Sequence, residues 1–258
     1  MRVALDARAA ARRAVRLRSV VPWLHDETAR RMAQRLGDIE ATVERWADVS
    51  TDRGGTVGDA AVTERWPQAR RVAPENAARE GGVQLIRSNM RLHYEAQPQQ
   101  LLTAWRKALS PGGFILFSCC GEKTLQNLRK IYLEHGWGPP AHDFYSLHEI
   151  GNLAVAAGFD QPVVDTEIIR LGFSSPERLL TELRELGGNC AVGRFPGLRG
   201  RKWRRRLLDA LENLRDETGQ YISDFEILYG YARAPAPTSE VEVTLEALQR
   251  TLPKRSHA

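Results

Sequence analysis

The chain has 258 residues, 42% of them hydrophobic and 27% charged, with a formal net charge of +5 and a pI of about 9.3. This suits one large α/β domain or a core domain with appendages. It excludes a helical membrane span, because no run reaches ~18–20 apolar residues, and it argues against nucleic-acid binding, because no basic stripe is interleaved with aromatics.

The first segment, "MRVALDARAAARRAVRLRSVV", is rich in arginine and lacks the apolar centre of a secretory signal. It reads as a basic helical arm, residues 1–40, leading into the domain. Within it, Leu24, Thr28, Met32 and Leu36 recur at steps of four, which predicts a helix over 22–39 with Pro22 at its start. A weak strand is expected over 42–49, a glycine turn over 50–58 and a helix over 59–66. A short apolar strand follows at Val83 to Ile86. Leu101, Leu102, Trp105 and Leu109 share one face of a helix over 97–109 that stops at "SPGG", a turn signal. The run "FILFSCC", 114–120, is of the type that forms buried parallel strands. Helices are predicted over 122–136 and 146–159, then a strand over 161–173. The next helix has Ser175 at its N-cap and Pro176 at its first position. A basic helix over 199–219 and a final strand over 221–234 complete the domain, 41–233, and a flexible tail occupies 234–258.

Strands alternating with helices up to about residue 170, then strands of antiparallel type, predict an open α/β sheet with helices on both faces. Cys119, Cys120 and Cys190 give neither a disulfide framework nor zinc spacing. They read as small buried thiols of a cytoplasmic protein, with no metal site.

Residues 83–129 run strand, Asn loop, helix, "L-x-P-G-G" turn and strand, and in that order they resemble the class I S-adenosylmethionine (SAM) methyltransferases. The words "AGF-x-x-P-V-x-D" and "L-R-x-L-G-G-N", with "FEILYGYA" near the end, are similar to the biotin-synthesis O-methyltransferases, the BioC family, which methylate the free carboxylate of malonyl-acyl carrier protein (ACP). The resemblance covers roughly residues 12–232 and is dense from 83 onward. It implies a Rossmann-like methyltransferase sheet, SAM as cofactor and ACP as partner. It implies no catalytic base, since a carboxylate is already a nucleophile and holding donor and acceptor in line does most of the work.

The same resemblance assigns the site. Gly54 falls on one of the family's loop glycines, where the backbone must approach the cofactor closely, and Glu75 falls where an acid bonds the ribose hydroxyls. Asn89, Met90, Leu92 and His93 occupy the loop beside the methyl donor, with Tyr94, Ser118 and His142 on the substrate side. Arg201, Arg204 and Arg205 are expected to dock the acidic carrier protein by complementary charge; as a structural alternative they form a solvated helix face.

Three departures stand out. Gly55 and Gly58 are out of phase with the family's loop, and Asp52 and Arg53 put charges into it. Only residues 76–82 separate the second and fourth strands of the family pattern, so the third, an edge strand, is expected to be missing. Asp143 stands where the family has an arginine facing the malonyl group; a carboxylate there would repel an anion, and His142 would replace the arginine only when protonated. The alternative to an O-methyltransferase is therefore a catalytically impaired paralogue that acts as a binding or regulatory module.

Overall fold

The computed structural model describes residues 2–17, 22–50, 55–79 and 82–236. Eight α-helices occur among them: α1 (Ala7–Leu17), α2 (Trp23–Gly37), α3 (Gly55–Arg65), α4 (Pro98–Ala108), α5 (Gln126–Glu134), α6 (Leu147–Ala156), α7 (Pro176–Glu185) and α8 (Arg201–Leu211). The strands are β1 (Arg45–Asp48), β2 (Arg70–Arg71), β3 (Val83–Ser88), β4 (Leu109–Cys120), β5 (Asp160–Phe173) and β6 (Tyr221–Arg233). They form one mixed sheet in the order β2-β1-β3-β4-β6-β5. The first four strands are parallel, and β6 runs antiparallel between β4 and β5.

Alternation along the strands makes two cores. Leu85, Phe114, Leu116 and Ile227 face one layer with α2, α5, α7 and α8, whereas Ile86, Ile115, Phe117 and Leu228 face the other with α4 and α6. The period of four read from the sequence is the buried face of α2, where Leu24, Thr28, Met32 and Leu36 all lie inside. The hydroxyl of Ser175 caps α7 by accepting from the Arg178 amide, and Ser146 with Glu149 forms a capping box on α6, so both helices start where their side chains satisfy the free amides.

The structure corrects the sequence reading in two places. Helix α3 begins at Gly55, so Gly55 and Gly58 belong to a helix rather than to the turn. The "SPGG" segment does not end a helix in a free turn: Leu109 already pairs with Val83, the register shifts, and pairing resumes at Phe114 with Leu85. It is an irregularity inside a long strand, tolerated because α4 hands over directly to β4.

The connection from β2 to β3 crosses over β1 in residues 72–82, through a short 3-10 turn at Pro74–Asn76 and with Ala77 buried under it. Parallel strands usually need a dozen or more residues to reconnect. A shorter path suffices here because β2 is only two residues long, so little sheet edge has to be retraced.

Candidate functional site at the carboxyl rim of the sheet

β1, β3 and β4 all end on one rim, at Asp48, Ser88 and Cys120. β1 and β3 are neighbours, but the chain leaves β1 toward β2 and leaves β3 toward β4. This is a topological switch point, where open α/β sheets leave a crevice for ligands.

The loop after β3 is held by Asn89, which is buried. Its carboxamide oxygen accepts from Thr28 Oγ1 (2.9 Å) and Ser118 Oγ (2.6 Å), and its nitrogen donates to the His25 carbonyl (2.8 Å). Its amide donates to Ser50 Oγ (2.8 Å). Asn89 and Ser118 thus join β1, β3, β4 and α2 through buried hydrogen bonds. Met90 follows in a left-handed conformation, φ 51°, and its amide donates to the Ser118 carbonyl at 3.0 Å. Leu92 packs into the core layer of α4 and α6.

Two cavities adjoin this loop. One, of about 350 Å³, lies at the switch point between Ser50, Arg91 and Glu95 on the rim and the alanine face of α1, with Ala7, Ala10 and Ala14. The other, of about 240 Å³, has apolar walls from Leu24, Met90, Leu128, Phe144 and Phe225. Its polar lining includes Arg13, His93, Tyr94 and His142. Arg13 and Tyr94 border both cavities.

Two histidines of the second cavity, His93 and His142, are neutral donors and acceptors. The Cys120 amide donates to His93 Nδ1 (3.2 Å), which puts the proton of His93 on Nε2. The His93 carbonyl can only accept, so the 2.8 Å contact from His142 Nε2 places the His142 proton there and leaves Nδ1 bare, with no protein partner. Burial lowers the His142 pKa to about 4 and pushes that of His93 well below the usual value. Burial also raises the Tyr94 phenol to about 12, with Arg13 acting in the opposite sense.

The repulsion expected from Asp143 is absent. One carboxylate oxygen takes a hydrogen bond from Arg129 Nη1 (2.9 Å) and the other from the Val3 amide (2.8 Å). Its charge is therefore neutralised beside the cavity. Nor does His142 supply the missing cation, because it is neutral at physiological pH. The buried cation in the cavity lining is Arg13, from the far end of the sequence, and Arg184 lines the same cavity.

The out-of-phase glycine also has a cause. Arg87 on β3 is buried and ion-paired with Asp48 (by its Nη2) and with Asp59 (3.3 Å). A Cβ on Gly58 would run into this guanidinium. Gly58 therefore makes room for a buried ion-pair cluster under the rim. Gly54 lies outside the described residues. Glu75 sits exposed in the turn after β2. Arg201, Arg204 and Arg205 are exposed along α8, where Arg204 reaches Glu177 at 3.4 Å, a solvent-screened pair. Trp203 on the same helix turns inward against Trp137, with ring centroids 5.6 Å apart. His148 is exposed.

Sequence reading missed Arg13, which it took as part of the basic helical arm. The signal that could have found it is the paired glycine of "L-R-x-L-G-G-N": a Cβ on Gly187 would collide with the Arg13 side chain.

No family model matches the chain. Curated relatives do. The chain is 35% identical over 151 residues to malonyl-[acyl-carrier protein] O-methyltransferase 1 of Coxiella burnetii, covering 58% of this chain and 53% of that protein. It is 29% identical to the malonyl-[acyl-carrier protein] O-methyltransferase of Laribacter hongkongensis, over 60% of this chain and 52% of that protein. With the Xylella fastidiosa enzyme of the same name the match is longer, 27% identity over 84% of this chain and 82% of that protein. The chain thus spans about half the length of the first of these relatives. Among solved structures, a phosphoethanolamine N-methyltransferase of Haemonchus contortus overlaps it at a TM-score of 0.43 and 14% identity, over 83% of this chain and 53% of that one. By sequence, the chain is similar over part of its length to proteins named malonyl-[acyl-carrier protein] O-methyltransferase.

Proposed function

We propose that the chain is a SAM-dependent O-methyltransferase acting on the free carboxylate of a malonyl-ACP-type acceptor. The observation that carries this reading is the pair of adjoining cavities at the carboxyl rim, on a chain related to enzymes of that name. The smaller cavity, at about 240 Å³, is below the ~300–1,000 Å³ of drug-sized sites. It therefore suits a short acyl group rather than a nucleoside.

The residues around the switch-point cavity fit the amino-acid end of SAM. Its α1 wall presents the small side chains of Ala7, Ala10 and Ala14, and Arg91 and Glu95 offer opposite charges to a carboxylate and an ammonium. Glu75, exposed beyond β2, would meet the ribose, and Gly54 the backbone side of the cofactor. When bound, SAM would supply an electrophilic methyl to the acceptor carboxylate oxygen, the new C–O bond replacing the S–CH3 bond, whose electron pair stays on sulfur. The chain's own residues would position the acceptor and keep water out: His93, Tyr94 and His142 stay neutral beside the apolar side chains of Leu24, Met90, Leu128, Phe144 and Phe225. The missing third strand fits the direct passage from β2 to β3 in residues 72–82, and would leave the adenine side of the site open. Arg201, Arg204 and Arg205 would bind the acidic carrier protein. No helix among the described residues is long and apolar enough to cross a membrane.

A second reading, a non-catalytic binding module, is favoured by one observation: Asp52 and Arg53 put charged side chains beside Gly54 in the segment that the resemblance assigns to the cofactor. Calorimetric titration with S-adenosylhomocysteine separates the two. Binding at tens of micromolar or tighter, weakened by Glu75→Ala, followed by methyl transfer to malonyl-ACP, supports the enzyme. A folded chain that binds none refutes it.

A further inference from the structure

We infer that Arg13 is the carboxylate receptor of the smaller cavity and makes the site selective for an anionic acyl group over its neutral counterpart. This deepens the methyltransferase reading and rests on it for the identity of the acyl group, not for the presence of the receptor.

Arg13 is only 2% exposed. Its Nε donates to the Leu186 carbonyl at 2.8 Å, but Nη1 and Nη2 have no protein partner. Apart from that carbonyl and the Tyr94 ring, no group among the described residues compensates this buried charge, and an incompletely compensated buried charge is costly, so native proteins rarely keep one without a partner that arrives from outside. The side chain is also held in place. Its guanidinium stacks on the Tyr94 ring, 3.1 Å from the centroid, and its stem crosses Gly187, where a Cβ would clash with Cγ, Cδ and Nε. Gly187 has φ 108°, a conformation that itself favours glycine. One carbonyl, one aromatic face and one glycine thus orient a planar fork with two free nitrogens.

The surroundings select the ligand's sign. Among the described residues lining the smaller cavity there is no carboxylate, and Arg184 adds a second cation. Asp143 is tied to Arg129, so nearby negative charge is already matched. A guanidinium fork takes a carboxylate by two parallel hydrogen bonds. Because Arg13 also borders the switch-point cavity, a carboxylate held there would lie at the boundary between donor and acceptor spaces. That is where an oxygen must be for in-line transfer, and esterification would then remove the charge that Arg13 grips and favour release.

The test is calorimetric binding of malonyl-pantetheine and of its methyl ester to the full chain and to Arg13→Met and Arg13→Lys. Both ligands lack phosphate, so only the carboxylate differs. The wild type should bind the acid at least ten-fold tighter than the ester. Arg13→Met should bring that ratio close to one, with folding checked by circular dichroism; methionine replaces the arginine stem as far as Nε and removes a buried charge, so the fold should hold. Arg13→Lys should keep part of the preference. A wild-type ratio near one, no binding of the acid, or a ratio unchanged in folded Arg13→Met would each overturn the inference. If Arg13→Met weakened S-adenosylhomocysteine and left the acid-to-ester ratio intact, Arg13 would serve the donor's carboxylate instead, and the inference would again fall. Failure of the methyltransferase reading shows separately, as absence of S-adenosylhomocysteine binding in the same instrument.

Discussion

Asp48→Asn should destabilise the fold by about 3 kcal/mol, because it removes the charge opposite Arg87. The side chains of Asp48 and Arg87 are 5% and 3% exposed, so solvent screens this pair very little. Breaking a buried pair by removing one partner typically costs ~3–5 kcal/mol, mostly the penalty of the stranded charge. The lower end applies here, since Asp59, 3.3 Å away and 28% exposed, still faces Arg87. Asparagine keeps an oxygen for the Ser50 amide, which donates to Asp48 Oδ1 at 2.8 Å, so the loss reports charge rather than turn geometry. For a domain of this size the melting temperature should fall by ~6–12 °C, at ~2–4 °C per kcal/mol. Urea unfolding of wild type, Asp48→Asn, Arg87→Met and the double variant measures it. The double variant should recover most of the loss, because two apolar or neutral groups replace a matched pair at little cost. A loss below ~1 kcal/mol for Asp48→Asn, or a double variant as unstable as the sum of the singles, would show that the cluster is more wetted than its burial indicates and would refute the reasoning.

Gly187→Ala should cost ~1–3 kcal/mol, combining a strained positive φ with displacement of the Arg13 stem; it should also reduce the preference for malonyl-pantetheine over its ester, which titration of the folded variant measures. His142 predicts a pH dependence. Its folded pKa, lowered by burial to about 4, lies below the unfolded value of ~6.5, so the unfolded chain takes up the proton first as pH falls. The stability is complete above ~6.5 and is lost progressively down to about 4, by ~3 kcal/mol at ~1.4 kcal/mol per unit. Urea midpoints between pH 7.5 and 4 should therefore fall less steeply in His142→Gln than in the wild type, and equal slopes would show that other buried groups carry the dependence.

How much was legible depended on how far apart the interacting residues lie. Helix α2 was read from four side chains on one face, and the Ser175 and Ser146 starts follow from local amide chemistry, because the physics there is contained within a few residues. The "SPGG" signal misled, since a turn motif says nothing about strand pairing on either side, and here Leu109 pairs before it and Phe114 after it. The glycines after β1 raised a sharper problem. Reading them as a damaged cofactor loop assumed that each glycine serves a ligand, whereas Gly58 is fixed by an arginine on β3.

The charge of the site was hidden for the same reason, and more completely. Around residue 143 the sequence offers Asp143 and His142 and so suggests an acidic, titratable wall. In the fold Arg129 neutralises the acid, burial discharges the histidine, and the positive charge arrives on α1, hydrogen-bonded to a carbonyl 173 positions away. A motif-by-motif comparison places the anion receptor within the substrate word itself. The cavity requires only that some cation reach it, and a guanidinium on a long stem can come from any element that packs nearby, provided a glycine lets it through. Gly187 is that passage: the glycine pair in "L-R-x-L-G-G-N" records where Arg13 must pass, not what binds there.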